Sequence, residues 1–571
     1  MNALPALPAY PALSHALLEQ YFNTHCREQG IATPPASKMD PAKLPPALQQ
    51  RSREIRCTPF ALPLRGGQRQ LFGIVLQHSA IGWHRLDPDL WLLENERWQL
   101  LAEAAQLADL IADHLAASTA DGSARERATR LKHAMRNSIA HAYRYQRPAL
   151  AATCDFVRAE QSLRQGHVFH VTSKATEGFD DADLRRYAPE LGARFRLHYF
   201  AVAPALYAAT HATPADPAAR AEATRLLQGQ PAADWPLLPC HPWQAAHLLD
   251  QPAIALCLAR GELVSLGPLG EVAIPTSSVR TVWLPAQACF LKLALDIRIT
   301  NFVRNNPPEH VRRALDASRA LAQLPRAAID GPHFRVLLET GAQSLALDDA
   351  ALLAGTTVLH REGLERAALS RFEVVAGVLE DADGGDSRLA QLLRQAGAGG
   401  AARSDLVRAW WRRYLDITLR PLLALLLDHG IGLEAHLQNS LVRFDDGWPG
   451  CALVRDMEGA TVSRGSAAAA ALPHDSAALY DEDEAWRRFQ YYVLVNHLGQ
   501  VAAMLARCTE VDEDVLWADL GACLAGTEHP RIAQLLQQPT LPAKANLLSS
   551  FAERGERPLY VAIPNPLRRT A

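Results

Sequence analysis

From Phe290 to Thr300 every second residue is aliphatic: Leu291, Leu293, Leu295, Ile297 and Ile299 share one face, while Lys292, Ala294, Asp296, Arg298 and Thr300 share the other. Period two predicts one half-buried strand, because successive side chains of an extended chain point to opposite faces. For one strand alone, a solvated face explains the charges equally well. The flanks argue for a site. Thr276, Ser277, Ser278, Arg280 and Thr281 crowd hydroxyls around a guanidinium just before the strand, and Asn301 and Arg304 carry the polar series past its end. Arg offers a planar fork of donors, Lys a point charge, and hydroxyls complete an oxygen shell, so the set suits a polyphosphate. Pro275 ends the preceding strand.

A second constellation runs Glu434-Ala-His436-Leu-Gln438-Asn439, passes through LVRF-DDGWPG-CALV, and ends in Arg455-Asp456-Met-Glu458-Gly459. The Asp, Gly and Pro between Asp445 and Gly450 predict a hairpin that returns Asp456 beside Asn439, with Asp456 and Glu458 on one face if that segment is a strand. An amide oxygen and two carboxylates beside phosphate oxygens suffice for magnesium, which takes hard oxygen ligands and keeps several waters. A surface hairpin with an acidic end is the plain alternative. The segment is also similar to the catalytic loop of small-molecule kinases, with Glu434 where such loops carry an Asp base. No GxGxxG or Walker loop accompanies it, although Gly267 to Gly270 offers a hairpin turn over phosphates.

The third marker, Gly166-His167-Val-Phe-His170-Val-Thr-Ser-Lys174-Ala-Thr176-Glu-Gly178-Phe179, has two histidines three apart. Cys154 is the nearest cysteine and no third ligand has a fitting spacing, which argues against zinc. Asn137-Ser138, His241-Pro242-Trp243, Asn496-His497, Lys544 and Asn565-Pro566-Leu567 are lesser marks. Structural roles are expected for them: a packed turn at His241, a polar break in an apolar helix at Asn496-His497, a solvated cap at Lys544. His241 stays open as a functional residue, since Pro242 and Trp243 fix a turn in which an imidazole can point inward.

With PTSSVRT followed by LK and ITN-x-x-R, both histidines of the third marker, and the 434–459 pattern at intact spacing, the chain resembles the IucA/IucC family over nearly its whole length. These are siderophore synthetases independent of nonribosomal peptide synthetases. The chain departs from the family pattern at Val168 and Val171, where prolines are usual, and at Thr176, where Arg is common. The resemblance implies that Ser278, Arg280, Thr281, Lys292, Thr300, Asn301, Arg304 and His436 hold ATP. It implies that Asn439, Asp456 and Glu458 hold Mg²⁺, that His170, Lys174 and Arg304 face the acid, and that Arg304, Lys292 and His170 are catalytic. The implied reaction adenylates a carboxylate of citrate, a citryl intermediate or 2-oxoglutarate, then condenses it with an amine or alcohol to an amide or ester. The altered GHVFHVTSK segment leaves the acid open. A homodimer is also implied. The C-terminal part resembles the FhuF-like module of ferric-siderophore handling, but an iron-sulfur reductase needs clustered cysteines and only Cys508 and Cys523 lie there.

Composition agrees with a soluble enzyme: 49% hydrophobic and 21% charged residues are ordinary for a globular chain. Lys and Arg number 58 against 61 Asp and Glu, so nothing suggests nucleic acid. At 571 residues, more than one core is expected. Nine cysteines without CxxC pairs favour a reducing compartment, and MNALPALPAYPALSH, broken by prolines and lacking a basic stretch, is not a secretory signal. The apolar stretch near Leu422 is too short to span a membrane, so a cytoplasmic location is expected. Helices are predicted at about Asn95–Ser118, Ala124–Tyr145, Leu406–Leu427 and Ala485–Cys508. Strands are predicted at Leu263–Leu266, Val272–Ile274, Val279–Leu284 and Cys289–Thr300. Exposed loops are predicted at Asp381–Asp386 and Ala396–Ala402. The order helix, sheet, helix gives an α+β class, and the resemblance adds a cupped hand: a helical thumb (1–123), fingers with an antiparallel sheet and the ATP segment (124–330), and a mostly helical palm with the metal-binding hairpin and the FhuF-like part (331–571).

Overall fold

The computed structural model describes residues 11–64, 69–146, 154–213, 234–300, 302–380, 387–397, 403–555 and 557–570. Of the sequence expectations, Asn301 and the loops 381–386 and 398–402 lie outside them. The fold is α+β. Its centre is an eight-stranded antiparallel sheet in the order Leu237–Cys240, Phe195–Val202, Leu263–Pro275, Thr281–Leu284, Cys289–Lys292, Val358–Glu362, Glu339–Leu345, Tyr207–His211.

The predicted strand over Phe290–Thr300 is two strands in two sheets. Cys289–Lys292 belongs to the large sheet, while Leu295–Ile299 pairs with Phe302–Arg304 and Thr176–Glu177. The alternation persists only in the second, where Asp296 and Arg298 are exposed; Phe290 to Ala294 are all buried, so Lys292 lies in a cleft and not on a wet face. Residues 263–275 also differ from expectation. They form one strand whose two register shifts fall at Gly267 and before Val272, with Gly267 and Gly270 at φ 78° and 74°. Glycine here makes bulges inside a strand, not a turn over phosphates.

The helix Ala124–Arg144 forms as predicted, whereas its neighbour spans only Ala104–Ala117. Asn95 and Glu96, both at positive φ, turn the hairpin of Trp91–Glu94 with Arg97–Leu100 instead, so the N-terminal part adds a four-stranded sheet to its helices. The two helices pack in one core, Leu107 and Ile111 with Leu131 and Met135, so a boundary at 123 cuts through a core. Leu547 and Phe551, near the C-terminus, complete that core.

A second core surrounds the helix Ser404–His429, whose Trp410, Trp411 and Tyr414 are at most 1% exposed. Beside it the strands Ser440–Asp445 and Trp448–Val454 form the predicted hairpin around Asp446-Gly447, both at positive φ, as a tight antiparallel turn requires. The helix predicted at Ala485–Cys508 is α-helical over 482–489 and 499–508 but π-helical over Gln490–Leu498. Among the described residues no helix is long and apolar enough to cross a membrane.

Candidate active site

A cleft of about 1680 Å³ opens between the large sheet and the hairpin Ser440–Val454, and a second cavity of about 300 Å³ adjoins it. Ser278, Thr300, Arg304, Glu434, His436, Gln438, Tyr492 and Lys544 border both. The two sequence constellations thus meet across one space.

At the cleft's centre Lys292 Nζ bonds Asp456 Oδ1 at 2.8 Å and Glu458 Oε2 at 2.7 Å. Arg361 Nη2 lies 3.4 Å from Asp456, Arg280 Nη2 3.9 Å from Glu458, and His310 Nδ1 3.0 Å from Glu458. Burial pushes both carboxyls up, but the cations outweigh it: Lys292 and Arg361 hold Asp456, and Lys292 and His310 hold Glu458, well below the usual carboxylate range. The segment at Asp456 is not a strand, so the shared strand face does not arise. Asp456 takes φ 74° and precedes a 3₁₀ turn, Met457–Gly459, which brings both carboxylates to Lys292. Gly459 is required there because Glu434 lies where a Cβ would be. Asn439 donates its Nδ2 to the Glu434 carbonyl at 3.1 Å and lines the same cleft. Two carboxylates and an amide oxygen are hard donors, and they fit a divalent cation that shares its shell with phosphate.

Arg280 has two duties. Nη1 bonds the carbonyls of Arg304 and Asn305 and Asn306 Oδ1, at 3.0, 2.8 and 2.6 Å, while Nη2 faces the carboxylates. Its turn is strained: Val279, β-branched, sits at φ 67°, with the Ser278 hydroxyl accepting from Thr281 N–H at 3.2 Å. Thr300 also takes a left-handed φ of 59° and accepts from Arg304 Nη2 at 3.0 Å. Left-handed residues other than glycine cost roughly 1–3 kcal/mol each and gather where surrounding structure imposes them, often at sites. Arg304 is half-buried, its buried Nε has no partner among the described residues, and desolvation, then Arg280, lower its pKa to about 10.

His436 accepts from the backbone N–H groups of Gln438 and Asn439 at Nδ1, 3.2 and 3.3 Å away, so its neutral ring carries the proton on Nε2. Burial keeps it neutral by lowering its pKa. His170 is pushed down to about 3, by burial and then by Lys544 and Arg304, and borders the smaller cavity. Lys174 also borders that cavity, but its ammonium bonds Glu190 Oε1 at 2.7 Å and the Leu163 carbonyl, so it holds the wall rather than an anion.

Several residues were not legible as site residues in sequence. Glu160 accepts from Ser277 N–H at 2.9 Å and pairs with Arg455 at 2.6 Å, tying the phosphate-type turn to the hairpin. Glu339 bonds Arg361 Nε at 2.6 Å and Met457 N–H at 3.0 Å, fixing the Asp456 turn. Neither belongs to a motif with a local period or spacing. Lys544 is not a solvated cap: it lies at the junction of the cavities without a hydrogen-bond partner among the described residues, and burial lowers its pKa. His241 is structural, packed against Tyr187 and Phe195 at ring distances of 4.7 and 4.9 Å.

The model of the IucA / IucC family matches residues 155–380, the segment that builds the sheet and the phosphate-type turn. The chain is 31% identical to the L-2,3-diaminopropanoate–citrate ligase of Staphylococcus aureus, over 97% of this chain and 96% of that one. It belongs to the IucA/IucC family. Residues 408–559 match a second model, described as a ferric iron reductase FhuF-like transporter. The spermidine–citrate ligase of Bacillus anthracis is 27% identical, over 72% of this chain and 74% of that one. The structure of ATP-bound aerobactin synthetase IucA from Klebsiella pneumoniae superposes with a TM-score of 0.83 at 25% identity, covering 97% of this chain and 99% of that one. This IucA/IucC member is therefore a ligase of the siderophore-synthetase type.

Proposed function

We propose that this synthetase uses ATP to adenylate one carboxylate of citrate and transfers the citryl group to an amine, forming an amide. The observation that carries this is the union of two spaces: a cation-lined cleft at Lys292, Arg280 and Arg361, opening onto a smaller cavity with Arg304 and Lys544 at the junction and neutral His170 on its wall. The first suits a triphosphate, the second a small polycarboxylate. The names of the relatives, several of which ligate citrate, support the acid.

A carboxylate oxygen of citrate forms a bond to the α-phosphorus, the bond from that phosphorus to the bridging oxygen breaks, and pyrophosphate leaves with the electron pair. Lys292 and Arg280 stabilise the charge that grows on the bridging oxygen. His436 donates from Nε2 to a phosphate oxygen, and Arg304 and Lys544 orient the acid. Asn439, Asp456 and Glu458 would hold a magnesium ion, which when bound neutralises phosphate charge.

The test supplies Mg-ATP with citrate or 2-oxoglutarate and hydroxylamine as a surrogate nucleophile. Citryl hydroxamate with AMP and pyrophosphate is expected. ADP with phosphate, or turnover with 2-oxoglutarate alone, overturns the reading.

A further inference from the structure

Resting on that ligase reading, we propose that Glu160 and Arg455 are positioning residues for adenylation: they clamp the wall between the two spaces so that the acid's carboxylate lines up with the α-phosphorus. The observation is a closed circuit of polar contacts. Glu160 Oε2 accepts from Ser277 N–H at 2.9 Å and from the Ser277 hydroxyl at 2.8 Å. The hydroxyl oxygen accepts in turn from Gln438 Nε2 at 3.2 Å, the Gln438 carbonyl accepts from Arg455 Nη2 at 2.9 Å, and the same Nη2 lies 2.6 Å from Glu160 Oε1. The side chains of Glu160 and Arg455 are 1% and 5% exposed. Ser277 and Gln438 border the smaller cavity, Gln438 and Arg455 border the larger cleft, and Glu160 borders neither. The circuit therefore runs through the wall that the two spaces share.

Three members of the circuit are each followed in the chain by a residue that lines the cleft: Ser277 by Ser278, Gln438 by Asn439, and Arg455 by Asp456. Moving any of the three moves a site residue with it. The fourth, Glu160, is anchored to the large sheet, because Phe156 of its helix Phe156–Gln161 packs edge-on against Trp283 and Phe290 at 5.5 and 5.8 Å. On the hairpin side Arg455 N–H donates to the Asn439 carbonyl at 3.0 Å, so Asn439 and Asp456 shift together. In the proposed step an oxygen held in one space attacks a phosphorus held in the other, and a misplacement of about 1 Å in such a geometry costs about 10²-fold in rate. Arg455 Nη1 has no hydrogen-bond partner among the described residues, so direct contact with phosphate is the rival role. The two roles separate cleanly: a phosphate ligand serves ATP binding, whereas a clamp serves alignment.

The test measures the melting temperature and, with Mg-ATP, citrate and hydroxylamine, kcat and both KM values for the full-length wild type, E160Q, R455M, the double variant E160Q/R455M and S277A. Each of the first two variants leaves one buried charge unpaired and is expected to melt lower, while the double variant removes both charges and is expected to recover most of the loss. Its kcat is expected to stay down about 10²-fold, with both KM values within about threefold of wild type. Ser277→Ala breaks the link to Gln438 without unpairing a charge, and is expected to lower kcat about tenfold at a near-native melting temperature. Recovery of kcat together with stability in the double variant overturns the proposal, since the pair then serves the fold alone. An unchanged kcat in S277A overturns it too, as does a loss in R455M confined to the KM for ATP and absent from E160Q. In each of these cases the wild type still yields AMP and citryl hydroxamate, so the ligase reading stands. A wild type that forms ADP, or turns over no ATP, removes both.

Discussion

Two lysines at one site face opposite circumstances, and substituting them should move stability in opposite directions. Lys292 is 5% exposed and shared by two carboxylates, so Lys292→Met leaves Asp456 and Glu458 repelling each other in a poorly hydrated place. Breaking a buried pair costs on the order of 3–5 kcal/mol, which Arg361, Arg280 and His310 reduce here by staying close to the same carboxylates. The variant should melt lower, and its pyrophosphate release should fall by about 10²–10³, the effect of losing one electrostatic stabiliser. Lys544 is half-buried with no hydrogen-bond partner among the described residues, so Lys544→Met should melt at the same temperature or higher while the KM for citrate rises about tenfold or more. Calorimetry and substrate titration on the two variants check both signs. A lower melting temperature for Lys544→Met would mean that a protein group, not the acid, is its partner.

At the scale of elements, the π-helical stretch Gln490–Leu498 does what an α-helix could not. Its wider turn directs Tyr492 to the cleft, Asn496 to His167 at 2.5 Å, and His497 to the chain beneath the 434–439 loop. His497 Nδ1 donates to the Ala435 carbonyl at 2.8 Å and Nε2 accepts from Tyr414 O–H at 2.6 Å, so a long-helix tyrosine sets the backbone between Glu434 and His436. Tyr414→Phe removes that donor and leaves a buried acceptor unpaired, a cost of about 1–3 kcal/mol. Its kcat should drop several-fold with KM for ATP little changed, because the loop is displaced rather than a contact deleted. A fall in melting temperature with unchanged kcat would reduce Tyr414 to a packing role.

For the whole molecule, buried histidines dominate the pH response. His25, His170 and His241 are pushed down to about 3 and His84 and His497 to about 4, each chiefly by burial. Their folded values lie below the unfolded value of 6.5, so the stability they permit is complete above 6.5 and is lost as pH falls toward 4 and 3. Glu28, Glu380 and Glu513 are raised to about 7 by burial and act oppositely, contributing stability below 4.5 that is lost as pH rises through 7. The histidines are more numerous, so the melting temperature should fall steadily on acidification below about 6.5, more gently between 7 and 4.5 than beneath it. Thermal melts from pH 8 to 4 measure this, and a flat profile would contradict the burial of these rings.

Local chemistry determined a good deal: the α+β class, the hairpin at Asp446-Gly447 and the phosphate-type turn at Ser278 follow from period, turn residues and side-chain type, all written within a few neighbouring positions. The strand over Phe290–Thr300 was legible as extended but not as two strands, since the corner at Leu293-Ala294 is imposed by two different sheets claiming its halves. Lys292 read as a lysine for phosphate. Only the folded chain brings it to Asp456 and Glu458, and only the fold shows Glu160 and Glu339 bracing the two halves of the site or Lys544 arriving from the far end of the chain. Such contacts join residues more than a hundred positions apart, and their energies depend on burial and opposed charge, quantities that no local pattern of residues encodes.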